Sequence, residues 1–227
     1  MDRGRAGMTL IELVVVMAVI GAMVALASSM VSDWSSDQRA ASSARELADA
    51  FSLARAEAIR TGSNHILAFN VETGLGGITS DAVIANDGPT GSTAGSSNCK
   101  IASSEIVHRI TLEQGVRFGS DPGLANGSAA PNDAGTSGDQ ATGSSFTTPE
   151  GDNASWVMFG ADGLPRQFHE STAATPPCDQ PGSPGNVGAA GGAIYITNGH
   201  RDYAIVMSPL GTVRLHRWNS GAGAWTQ

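Results

Sequence analysis

The sequence predicts an α+β protein: a long N-terminal helix, its first half transmembrane, packed on a small antiparallel β domain. Three observations lead there. Residues 8–31, "MTLIELVVVMAVIGAMVALASSMV", run for 24 residues with Glu12 as the only charge, and a helix spans a bilayer with about 20 such residues. Behind them Ala40, Ala44, Leu47, Phe51, Ala54 and Ala58 recur at spacings of four and three, one face of a 3.6-residue helix. Short apolar runs separated by turn-rich gaps then follow, the pattern of consecutive antiparallel strands.

The bulk composition limits what the chain can be. Its 227 residues are 41% hydrophobic and 15% charged, room for one modest domain plus an accessory segment. A mean hydropathy of -0.07 excludes a polytopic membrane protein. Lys+Arg number 13 against 21 Asp+Glu, a net charge of -8, which disfavours broad attraction to nucleic acid or anionic lipid while leaving room for a local basic patch. With 29 glycines and 5% aromatics, long loops should surround a small core. Two cysteines, Cys99 and Cys178, are too few for a disulfide scaffold.

The first element begins with "MDRGRAG", whose arginines belong on the cytoplasmic side. The apolar run after it has three readings. Leu13 to Ala27 could be the core of a cleavable secretory signal, with "ALA" at 25–27 as a cleavage site. It could be a plain signal anchor. Neither accounts for Glu12, since an unpaired carboxylate costs a few kcal/mol to place in lipid. The stretch "G-MTLIEL" resembles the class III signal of type IV prepilins and type II secretion pseudopilins. The resemblance implies that a prepilin peptidase cuts after Gly7 and N-methylates Met8, which leaves Glu12 fifth in the mature chain. Phe is the usual first residue, so Met8 departs from the pattern. Glu12 of one subunit would then pair with the new amine of its neighbour, fixing register in a filament.

The helix is expected to continue. No proline occurs before Pro89, and Thr61-Gly62 supplies a stop. Met8 to Thr61 would measure about 80 Å, with Arg45 and Asp49 placed for an i,i+4 pair. Such continuity disfavours the secretory reading. The chain divides into a leader (1–7), a membrane and assembly half-helix (8–31), an amphipathic half-helix (32–62) and a periplasmic β domain (63–227).

Strands are expected at 65–71, 105–112, 155–160, 193–198, 203–208 and 212–218, with "MSPLGT" as the hairpin between the last two. The stretches "ANDGPTGSTAGSSN", "GSDPGLANGSAAPNDAGTSGDQATGSS" and "STAATPPCDQPGSPGNVGAAGG" read as surface loops or local disorder, too polar to bury a core.

"WVMFGADGLPRQF" with "YAIVMSPLGTVRLHRW" is similar to the C-terminal region of GspH/FimT-type minor pseudopilins and pilins, in which a glycine turn follows one strand and a glycine hairpin leads into an arginine-bearing last strand. The resemblance implies a pilin-like fold and a role in assembly. The chain would be a GspH-like minor pseudopilin in the tip region of a type II secretion pseudopilus, or alternatively a FimT/FimU-like minor pilin that binds DNA in natural transformation. Partners would be prepilin peptidase and other pseudopilins or minor pilins. The protein would sit in the bacterial inner membrane, single-pass, with its N-terminus cytoplasmic and its domain periplasmic. There, on the oxidising side, Cys99 and Cys178 are expected to bridge and tie two loops. Some FimT-like pilins bind DNA through a "G-R-x-R" turn. Here "GTVRLHR" keeps Gly211 and Arg214 but puts Thr212 where the first arginine stands, leaving Arg201, Arg214 and Arg217 as a candidate patch. DNA is therefore not expected as a partner.

Enzyme signatures are missing: there is no G-x-S-x-G elbow, P-loop or G-x-G-x-x-G. The five histidines lack metal-ligand spacing, and "ANDG" and "PEGDN" lack the alternating oxygens of a calcium loop. A structural protein without cofactor or metal is expected.

Overall fold

A long helix, α1 (Leu10–Thr61), runs for 52 residues, about 78 Å at 1.5 Å per residue. The computed structural model describes residues 9–70, 80–88, 104–125, 127–134, 140–167 and 190–227, with 26–32 described by backbone alone. Thr9 is the N-cap of α1, and Gly62 ends it in the left-handed conformation at φ 65°. Glycine adopts that φ without the penalty a Cβ brings.

Among the described residues ten strands follow: β1 (Asn64–Phe69), β2 (Ala82–Gly88), β3 (Ile106–Ile110), β4 (Arg117–Phe118), β5 (Trp156–Phe159), β6 (Pro165–Arg166), β7 (Gly192–Thr197), β8 (Asp202–Met207), β9 (Val213–Asn219) and β10 (Ala224–Thr226). They form two five-stranded sheets, ordered β3-β2-β1-β5-β6 and β10-β9-β8-β7-β4. Every pairing is antiparallel. The architecture is α+β, with both sheets packed against the second half of α1.

The helix stripe makes this contact. Ala40, Ala44, Leu47, Phe51, Ala54 and Ala58 are all at most 1% exposed, in one cluster with Leu67 and Phe159 of the first sheet and Ile194 and Ile205 of the second. Small alanines let the strands approach the helix backbone, and the large side chains fill what remains. Phe51 stacks on Phe146 at 6.0 Å, and Phe146 meets Phe69 at 5.6 Å, an aromatic bridge that adds to the burial of apolar area.

Both sheets also bury their far faces. Ile66, Ala68, Val83, Ala85 and Met158 form a second cluster on one, and Ala193, Tyr195, Ala204 and Val206 a third on the other. This explains why β1, β7 and β8 are buried along their whole length and read as continuous apolar runs rather than alternating ones.

The structure corrects three sequence expectations. "ANDG" does not open a loop, because residues 85–88 are the end of β2, paired with β1. Asp87 is 1% exposed there, and Ser63 Oγ donates to Asn86 Oδ1 at 2.9 Å, so polar residues sit in a strand with partners. In the stretch 119–145 the described residues pack down on the second sheet instead of lying free. Buried Asp202 accepts from the backbone N–H of Asp121 and Ala125, and Tyr195 accepts from Ala130 N while donating to Asp133 Oδ2 at 2.8 Å. Buried side-chain acceptors satisfy the loop's backbone, which composition alone does not reveal. Finally, Arg45 and Asp49 form no ion pair among the described residues.

Candidate functional site

The start of α1 combines a polar cap with an apolar shaft. Thr9 Oγ1 accepts from Glu12 N at 3.3 Å, while Glu12 Oε2 accepts from Thr9 N at 3.0 Å and from Thr9 Oγ1 at 3.1 Å. This reciprocal pair is a capping box, which satisfies backbone donors that an open helix end leaves unpaired. The T-x-x-E spacing ahead of an apolar run announces it in the sequence, yet reading Glu12 only as an assembly residue passes over it. Both bonds that Glu12 accepts fall on Oε2, so Oε1 is without a partner among the described residues. Gly7 and Met8 lie outside the described residues.

Beyond the cap, Leu10, Ile11, Leu13, Val14, Val15, Val16, Met17, Val19, Ile20, Met23 and Val24 are all exposed, Leu10 by 82%. Apolar surface this continuous requires a cover. Among the described residues no helix is long and apolar enough to cross a membrane. The side chains described from Leu10 reach only to Ala25, fewer than the about 20 residues a span needs.

Two glycine turns, the ones that carry the C-terminal resemblance, converge on the far end of α1. Gly163 has φ 74°, and a Cβ there would come within 2.6 Å of Ile59 Cδ1 and 3.4 Å of Arg55 Nε. Gly211, in the β8–β9 hairpin, faces Arg55 from the second sheet, 3.4 Å from its guanidinium measured the same way. Arg55 is thus the point where a turn from each sheet meets the helix. Nothing in its sequence context marked it.

The candidate arginine patch is divided. Arg201 Nε donates to Asp37 Oδ2, tying the β7–β8 turn to α1. Arg217 pairs across the sheet with Tyr203 and lines a cleft of about 470 Å³ between α1 and the second sheet, together with Trp34, Asp37, Arg45 and Arg201. Arg214 is three residues away on the same strand, hence on the opposite face. The structure therefore brings Arg201 and Arg217 together and separates Arg214 from them. Burial, and then the Asp37 carboxylate, raise the Tyr203 hydroxyl above its ordinary pKa, so it stays a proton donor facing the cleft.

Among the described residues two histidines are buried. His216 is 2% exposed, with neither ring nitrogen hydrogen-bonded; burial and then the Arg214 charge lower its pKa. Burial likewise lowers that of His65, whose Nδ1 lies 3.3 Å from Ser63 O. Neither belongs to a metal-binding group, and no cluster of His, Cys, Asp or Glu among the described residues could hold a metal ion. Cys99 and Cys178, the expected bridge, lie outside the described residues.

Compared with known families, the chain matches the model described as Prokaryotic N-terminal methylation motif over residues 2–28. This is the class III prepilin signal. No curated protein and no solved structure matches the chain.

Proposed function

We propose that this chain is a pilin-like assembly subunit, specifically a GspH-like minor pseudopilin that works in the tip region of a type II secretion pseudopilus. It acts by assembly rather than catalysis. The methylation motif over residues 2–28, with Glu12 inside it, carries the reading. Prepilin peptidase would cut after Gly7 and methylate Met8. Residues 8–31 would anchor the subunit in the inner membrane, with the β domain outside.

The geometry at Glu12 supports this assignment. Its Oε2 serves the cap, and Oε1 is left for the amine of a neighbouring subunit, so capping and assembly do not compete for one oxygen. Each buried charge offsets the desolvation of the other. The exposed apolar shaft from Leu10 to Val24 would be covered first by lipid and then by neighbouring helices.

A FimT/FimU-like minor pilin is the second reading, because the motif serves both machineries. Its DNA-binding form is disfavoured by the division of Arg214 from Arg217 and by the engagement of Arg201 with Asp37. The assembly claim is tested by cross-linking subunits in membranes from cells carrying wild type or Glu12→Ala. Cleavage and membrane insertion should persist in the variant while incorporation falls. Equal incorporation would remove the role assigned to Glu12.

A further inference from the structure

We propose that the cleft between α1 and the second sheet is a docking site for an acidic peptide segment of a partner protein, held through its carboxylates by Arg45 and Arg217. The wall of this cleft is positive in a chain whose net charge is -8. Three guanidiniums, from Arg45, Arg201 and Arg217, border it against one side-chain carboxylate, that of Asp37, with Gln227 also in the lining. That carboxylate is already committed to Arg201. Arg45 and Arg217 make no ion pair among the described residues, and both side chains are exposed. Two free guanidinium forks beside a fixed ion pair suit planar, bidentate carboxylate groups.

The remaining lining agrees with a peptide. Tyr203 is 6% exposed, and its hydroxyl, kept protonated, is a further donor beside the cation pair. Trp34 is 66% exposed at the mouth, an aromatic of the kind that anchors interfaces. A volume of about 470 Å³ holds a few side chains. It is too confined to follow a duplex, whose phosphates demand a broad basic face, and Arg214 points away from it. Lipid headgroups fit less well. If residues 8–31 lie in the bilayer, Trp34 at the mouth stands about 5 Å beyond Val31, but Arg45, one of the two carboxylate-binding groups, stands about 20 Å beyond it along the helix.

The test uses the full chain in neutral detergent and fluorescence polarisation of a labelled hexapeptide alternating glutamate and glycine. The glutamine counterpart with the same label is the control. The glutamate peptide should bind and the glutamine peptide should not. Arg45→Gln combined with Arg217→Gln should weaken the glutamate peptide about tenfold or more, since charge-assisted bonds are the strong ones. Arg214→Gln should leave it unchanged, and circular dichroism of the variants should match wild type. Equal binding of both peptides, no binding, or an equal loss in Arg214→Gln would overturn the proposal. So would tighter binding of a twenty-base-pair duplex or of short-chain phosphatidylglycerol through the same two arginines, which would reassign the cleft to nucleic acid or lipid. None of these readouts depends on filament formation, so they stand or fall apart from the pilin reading.

Discussion

Single residues here carry more than one duty, and Glu12 is the clearest case. It caps its own helix through Oε2 while its charge is proposed to serve a neighbour. Substitution separates the two roles. Glutamine can keep the capping box but has no charge, so Glu12→Gln should retain the helix start seen by circular dichroism and still lose incorporation as fully as Glu12→Ala. Wild-type incorporation by the glutamine variant would mean that the cap, not the charge, is what assembly requires. His216 offers a second test at this scale. Burial holds its pKa below the ordinary 6.5, so the unfolded chain binds the proton first. Its stabilising contribution is complete above the unfolded pKa and is lost as pH falls below it. Removing the imidazole by His216→Leu should flatten the fall in melting temperature between about pH 7.5 and 5.5. Part of the slope should persist through His65, which is shifted in the same direction. An unchanged slope would show that His216 does not titrate differently on folding.

At the scale of elements, the helix was the most legible part of the sequence. Its 3.6-residue stripe, its lack of proline and its Thr61-Gly62 stop all reappear in a helix that ends at Thr61 with Gly62 beyond it. Phe51 is the pivot of that stripe, 1% exposed and stacked on Phe146 between the two sheets. Phe51→Ala should cost about 3–5 kcal/mol in denaturant unfolding, whereas the exposed Leu53→Ala should cost far less. Similar losses for both would place the core elsewhere. β1, β5, β7 and β8 were legible because they are apolar runs bounded by turn residues. β2 was not, since Asn86 and Asp87 look like turn residues until their buried partners are known. The two-residue strands β4 and β6 and the three-residue β10 are too short to carry any periodicity. The cleft was illegible for another reason: Trp34 and Arg45 share a face of α1, but only tertiary packing brings Tyr203 and Arg217 of the second sheet opposite them.

Considered whole, the molecule is an exposed apolar shaft leading into a domain of two sheets clasped on one helix. Its charge distribution argues against a nucleic-acid role. Arg201 is paired and Arg214 faces away from Arg217, so few phosphates could be met at once. Any duplex binding should be weak, with log affinity falling against log salt at a slope no steeper than about -2, and absent at physiological salt. Micromolar binding at about 150 mM salt that disappears in Arg214→Ala would make the DNA-binding pilin the better reading. The subunit role itself rests on processing at the N-terminus, where the methylation motif lies. Intact-mass analysis of the protein extracted from membranes of its native host tests it most directly. The expected mass is that of a chain starting at N-methylated Met8, with a Gly7 variant of bulky side chain left uncut. A chain starting at Ser28 would mean that residues 1–27 are an ordinary secretory signal, and would contradict the pilin-like assignment.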